Sequence, residues 1–176
     1  VLRRATDPDV EVIRGWRNQE INRSASITQH EIGAAEHAAW WAATSADPDR
    51  RILVYEHTGV PAGVVNFFDL ALSRAPRTGC WGFFLDAAGL AERAETLPAW
   101  IGVMREATAY AFDELGLDEL HGEVLEHNHV VRQMNRRFRF VEGTAETRHA
   151  DGRIVRVIPI FLHRRDRRAA DMVARP

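Results

Sequence analysis

Cys80-Trp81-Gly82-Phe83-Phe84-Leu85 and Glu119-Leu120-His121-Gly122-Glu123-Val124-Leu125-Glu126-His127-Asn128 are the two stretches on which the fold turns. Both read as strands, the first rich in aromatic residues and the second ending at a helix-capping Asn128. Between them lies the longest helical pattern of the chain, opened by Thr96-Leu97-Pro98 and stopped by Gly116. Its apolar stripe is Ile101, Met104, Thr108, Ala111, Phe112 and Leu115. Strand, helix, strand is a crossover, which joins parallel neighbours. Upstream, Arg51 to Glu56 and Ala62 to Leu70 are strands joined by the turn His57-Thr58-Gly59, a meander of the antiparallel kind. Downstream, a short helix from Asn128 to Arg137 precedes strands at Phe138 to His149 and Arg153 to Leu162, linked by the hairpin signal Ala150-Asp151-Gly152. At the start, Val1 to Thr6 is a strand. Asp7-Pro8 opens a helix to Gln19 with Val12, Ile13 and Trp16 as its apolar face. Thr28-Gln29-His30-Glu31 has the capping-box spacing of a second helix running to Ala43. The order predicts an α/β chain: a mixed sheet with helices on its faces. One domain is expected over residues 1–163, followed by a polar, Arg-rich, frayed tail over 164–176.

The 176 residues suit one domain, and 45% hydrophobic with 27% charged residues is the composition of a folded globule. With 23 basic and 25 acidic residues, the net charge of −2 gives no bulk attraction for nucleic acid or a membrane surface. No apolar run reaches the roughly 18 residues of a membrane helix. Every basic residue is Arg, which excludes a lysine Schiff base and a Walker lysine. The single cysteine, Cys80, excludes an internal disulfide and a cysteine zinc site, and fits a reducing, cytoplasmic setting. It is read as a core residue. His121, His127 and His129 cluster in sequence, but their spacing matches no known ligand set, and no metal is expected.

The element order and several local strings resemble the GNAT superfamily of N-acetyltransferases. The nearest branch acetylates ribosomal proteins and nucleotide-linked amino sugars. The strings are Trp16-Arg17-Asn18, Ile27, Glu36-His37 and Trp40 near the start. Pro61-Ala62-Gly63-Val64-Val65 and Trp81-Gly82-Phe83-Phe84-Leu85 follow in the middle. Ala111-Phe112-Asp113-Glu114-Leu115-Gly116-Leu117, Glu123-Val124-Leu125-Glu126-His127-Asn128 and Phe138-Arg139-Phe140-Val141-Glu142-Gly143 close the series. The resemblance runs from Leu2 to Leu162. It implies a central sheet that splays beside the strand of Gly82 to Leu85, with the pantetheine arm of acetyl-CoA lying in the gap. It implies acetyl transfer to a primary amine by direct attack in a ternary complex. The expected acceptor is a small molecule, either a nucleotide-linked amino sugar or an antibiotic-like amine. The alternatives are a protein N-terminus or aminoacyl group, and a degenerate ligand-binding member without transfer. A homodimer paired through the last strands is a further expectation.

By the same resemblance, Phe83, Phe84, Leu85, Arg93, Ala99, Gly102 and Asn128 would hold the cofactor. Arg17 and Asn18, at the end of the first helix, would line the acceptor pocket, joined by Asn66 and Trp81. Asn66 interrupts an apolar strand, and Arg suits bidentate contact with an anion. His37 and Glu126 are the candidate bases for the attacking amine. Alternation along the strand sends Glu123 to one face and Glu126 to the other. Two departures stand out. The diphosphate loop of the superfamily falls on residues 97–102, where Leu97 takes the Arg position and Trp100 the first glycine, with Glu92 and Glu95 close by. The usual leaving-group acid, a Tyr, falls on Asn135, which cannot donate a proton as an acid. The run Arg164, Arg165, Arg167, Arg168 is read as a solvated tail.

Overall fold

In the computed structural model, which describes residues 1–167, eight strands form one sheet. They are β1 (Leu2–Arg4), β2 (Arg51–His57), β3 (Val60–Ala71), β4 (Thr78–Leu85), β5 (Glu119–Leu125), β6 (Val141–Glu142), β7 (Glu146–Ala150) and β8 (Arg153–His163). Their order is β1-β2-β3-β4-β5-β8-β6, with β7 also paired to β8. Every pairing is antiparallel except β4 with β5, the two strands joined by the helical crossover.

That parallel pairing is short. It covers only Thr78, Gly79 and Cys80 against Glu119, Leu120 and His121. Beyond it, β4 stays paired with β3 as far as Leu85 opposite Gly63, and β5 stays paired with β8 as far as Leu125 opposite Val157. The sheet therefore opens into two halves that share a three-residue joint. The joint is clamped by the Arg77 and Asp118 main chains and by the Asp118 carboxylate, which accepts from Arg77 N at 2.8 Å.

The two faces are covered differently. α1 (Val10–Asn18) and α3 (Ala34–Ser45) lie over one face, where Ile13 and Trp16 meet Ile52, Val54 and Val64. α5 (Thr96–Ala109), a π-helical turn (Tyr110–Glu114) and α6 (His129–Arg137) cover the other. There Val103, Met104, Ala107, Ala111, Phe112 and Met134 pack on Leu53, Tyr55, Val65, Phe67 and Trp81. Ile52 to Tyr55 are all buried because β2 feeds both faces in alternation.

Several local expectations are corrected. A 3-10 turn (Asp7–Asp9) precedes α1, and its cap is Thr6, whose N–H and hydroxyl both donate to Asp9. The Thr28 box does not start a helix. Asn18 accepts from Ile32 N at 2.8 Å and donates to Ile32 O at 2.9 Å, which holds residues 28–33 in an irregular path, and α3 begins only at Ala34. Short helices α2 (Glu20–Ser24) and α4 (Ala87–Glu92) fill stretches read as connections. The strand expected over Phe138 to His149 divides into β6 and β7. The Ala150–Arg153 hairpin is as expected, with positive φ at Asp151 (51°) and Gly152 (68°), the requirement of a two-residue type I′ turn. Arg164 is not frayed: its Nε donates to Leu117 O at 2.8 Å. Arg168 and the rest of the tail lie outside the described residues. No helix among the described residues is long and apolar enough to cross a membrane.

Candidate active site

On the α1–α3 face a cavity of about 240 Å³ opens beside the splayed part of β4. Its walls are Ile13 and Arg17 from α1, Ile32 from the irregular segment, Glu36, His37 and Trp40 from α3, Asn66 from β3 and Phe84 from β4. Three of these residues carry a buried polar atom with no partner among the described residues: Arg17 Nη1, His37 Nδ1 and Asn66 Oδ1. Such atoms are costly in a folded protein unless something else satisfies them. Three around one cavity mark it as a place for a polar ligand.

Each is held by its neighbours. His37 is 4% exposed and stacks on Trp40 with ring centroids 5.0 Å apart. Burial pushes its imidazole below the ordinary range, which favours the neutral ring. Arg17 spends Nη2 on Thr28 O at 2.8 Å. Burial lowers its guanidinium, Arg23 repels it further, and it nevertheless stays charged. Asn66 sits opposite Gly82 in the β3–β4 register. Asn66 and the cavity wall Phe84 therefore border the stretch of β4 that has parted from β5.

The gap itself offers backbone. Past Cys80, the β5-facing edge of β4 has no strand partner among the described residues, and Gly82 is exposed with no side chain to block approach. Phe83 turns to the opposite face, stacked on Trp81 at 5.5 Å, whereas Phe84 lines the cavity. Leu85 gives its carbonyl to Asn22 Nδ2 at 2.8 Å. Asn128, at the far side of the gap, caps α6 by accepting from Val131 N at 3.2 Å, leaving its amide N–H groups for other use. These features fit an extended amide-bearing arm laid along β4.

The phosphate end is less well provided. The first N–H groups of α4 are taken, two by Gln19 Oε1 and one by Asp86 Oδ1. α5 starts at Thr96 with Pro98, which has no N–H, in its first turn. Arg93 is held by Glu95 at 2.8 Å. Ala99 is fully buried, and Gly102 faces the Tyr55 hydroxyl so closely that a Cβ would collide with it. Both face protein, so only main chain is available there.

The remaining expected site residues do not converge on the cavity. Asn18 spends its amide on Ile32, so it shapes a wall and does not face a ligand. Trp81 is 5% exposed and packs between Phe67 and Phe140 on the α5–α6 face, a core position. Glu126 lies in a separate depression with His127, His129, Arg132 and Arg156, paired to Arg156 at 3.2 Å. Asn135 is 3% exposed within α6. Burial raises the Cys80 thiol above its ordinary range, which argues against an activated nucleophile. No cluster of three metal-ligating side chains occurs among the described residues. Ile32, Arg23 and Gln19 have parts in the site that no motif announced. Only the folded path of residues 28–33 and the α4 cap reveal them.

No family model matches the sequence, and no curated protein does. Solved structures do match. The spermidine N-acetyltransferase of Vibrio cholerae, in complex with CoA and spermine, is 18% identical, with 95% of this chain and 96% of that chain covered and a TM-score of 0.74. A phosphinothricin N-acetyltransferase, so assigned, is also 18% identical, with 93% and 97% covered and a TM-score of 0.68. At such identities the shared property is the fold, the one these N-acetyltransferase structures have.

Proposed function

We propose that the chain is an acetyl-CoA-dependent N-acetyltransferase acting on the primary amine of a small molecule seated between α1 and α3. The observation that carries this reading is the parting of β4 from β5 directly beside a cavity with three unsatisfied polar atoms. The similar structures named above act on amines, and one of them holds CoA. The β4 edge from Trp81 to Leu85 and the Asn128 amide would hold the pantetheine arm. Bound there, acetyl-CoA supplies an activated acetyl thioester.

The chain's own task is to present the amine. A primary amine is an ammonium ion at neutral pH and must lose a proton before it can attack. Neutral His37 is placed to take that proton, directly or through water, a contribution on the order of 10²–10⁴ in rate. Asn66 Oδ1 accepts an N–H from the same nitrogen and fixes its position beside Gly82. A cavity of about 240 Å³ encloses a small molecule. A nucleotide-linked sugar would have to leave most of itself outside.

One observation favours a second reading, a ligand-binding relative without transfer. The start of α5 has Pro98 in its first turn and its nearest cation, Arg93, tied to Glu95. Calorimetric titration with acetyl-CoA, with desulfo-CoA and ADP as controls, separates the two. Micromolar binding followed by amine-dependent thiol release is expected. No binding up to millimolar concentration overturns the transferase reading and leaves the fold.

A further inference from the structure

We propose that the cavity selects an amine that also carries an anionic group, a carboxylate or a phosphate, and that Arg17 receives it. The inference takes from the transferase reading only the fate of the amine; recognition of the anion is a matter of binding alone.

Among the described residues Arg17 is a half-buried cation that forms no ion pair, and its Nη1 is buried. Among the described residues no carboxylate lies within ion-pairing distance of it, and one of its two terminal nitrogens is unsatisfied while the other holds Thr28 O. A buried charge left in this state is expensive, and a ligand oxyanion is the group that relieves it most fully, by a charge-assisted and bidentate contact. A second observation points the same way. Arg23, on α2, lies near enough to repel Arg17, and its Nε is also buried with no partner among the described residues. Its Nη1 forms a long ion pair with Glu31 at 3.8 Å, which leaves the Nε unmet. Arg17 is thus the guanidinium of the wall, with Arg23 behind it.

The acids nearby offset this only in part: Asp151 and Glu36 favour the Arg17 charge through space, and neither forms an ion pair with it among the described residues. Glu36, the one carboxylate in the cavity wall, is held by His30 at 2.8 Å. Asp151 is held by the Gln29 and His30 main chains and the His30 ring. A polycationic amine would meet an arginine where it needs a carboxylate. A zwitterion matches the cavity: its amine faces Asn66 and His37, which have acceptor capacity, and its anion faces Arg17. The size agrees. About 240 Å³ is many times the ~10–15 Å³ that one water needs on the same measure, so the cavity has room for a small molecule. Ile13, Trp40 and Phe84 offer its side chain an apolar wall.

The test is an NMR titration of the full chain at fixed ionic strength, without acetyl-CoA. The four probes are L-leucine, O-phosphoethanolamine, isoamylamine and spermidine. The expected result is that at least one of the two anionic amines binds at least tenfold more tightly than isoamylamine and spermidine. Which of the two binds tells carboxylate from phosphate. Arg17→Met should abolish the preference, and Arg17→Lys should keep part of it. Equal or tighter binding of isoamylamine or spermidine overturns the inference, as does an absence of binding by all four or a preference that survives Arg17→Met. If Arg17→Met does not fold, the ranking of the four probes on the unaltered chain decides. The acetyl-CoA titration separates the readings. Anion-selective amine binding without cofactor binding keeps this inference and removes the transferase; cofactor binding without amine selectivity does the reverse.

Discussion

The two faces of the sheet are built on opposite principles. Under α5 and α6 the packing is large and aromatic, with one unpartnered polar atom, Trp100 Nε1: Phe67, Trp81 and Phe140 form a continuous stack, and Val103, Met104 and Ala107 are fully buried against the strands. Under α1 and α3 the buried apolar cluster is small, and a cavity with three unsatisfied polar atoms interrupts it. Burial of apolar surface stabilises at about 25 cal/mol per Å², whereas an unsatisfied buried polar group costs roughly 1–3 kcal/mol. One face therefore supplies stability, and the other gives some of it up to hold a ligand.

The sharpest way to break this contrast is Phe67→Ala. Phe67 is fully buried and stacks on both Trp81 and Tyr110, so its loss should cost about 3–5 kcal/mol in denaturant unfolding. A loss below about 1 kcal/mol would deny that this face carries the stability. Next is Gly63→Ala, at the splayed end of the β3–β4 pair. Its Cβ would lie 2.6 Å from the Phe84 carbonyl oxygen and 3.0 Å from Leu85 Cα, main-chain atoms that cannot swing aside. A cost of about 1–3 kcal/mol is expected. Because the strain falls on β4 beside the gap, acetyl-CoA affinity should fall with it.

On the other face the signs should separate. Asn66→Leu removes an unsatisfied polar atom, so stability should change by less than about 1 kcal/mol or rise. Acetyl transfer should nevertheless drop on the order of 10²-fold, read by thiol release. A parallel loss of stability and activity would place Asn66 in the core and take it out of the site.

The smallest effect concerns the contact that ties the two halves together across the cavity. Asp151, at the tip of the β7–β8 hairpin, accepts from Gln29 N at 2.6 Å and faces His30 Nδ1 at 3.1 Å, while His30 Nε2 faces Glu36 at 2.8 Å. Glu36, then Asp151, raise the His30 pKa, so the protonated ring strengthens the contact at low pH and the gain is lost as pH rises through the raised value. The Gln29 N–H leads in lowering the Asp151 pKa, so its share is present above the ordinary carboxylate range and is lost as pH falls through the lowered value. The hairpin tip should be most rigid between those limits, near pH ~5–6 by the ordinary values of the two groups. Backbone ¹⁵N relaxation at Asp151 and Gly152 checks this, and a flat profile from pH 5 to 8 would remove His30 from the contact.

Much of the fold was legible because its signals are local. The alternating strands, the stripe from Ile101 to Leu115, the stop at Gly116 and the Asp151-Gly152 turn each depend on a few adjacent residues. The Asn128 cap belongs with them. The misreadings have the opposite character. Thr28 to Glu31 spell a helix start, yet Asn18, ten residues away, bonds Ile32 and holds the segment open. Trp81 reads as an acceptor-pocket residue and lies in the core, because β4 alternation sends it to the face that α5 and α6 cover. Glu126 and His37 both read as candidate bases for one amine and lie in different depressions. The sequence by itself determined the order of elements, the crossover and the polar residue types available for chemistry, since propensity and periodicity act over short range. Only the tertiary structure decided where β4 parts from β5, which polar atoms are left unsatisfied, and that a cation with no ion pair among the described residues sits in the cavity wall. Those follow from contacts between residues far apart in the chain.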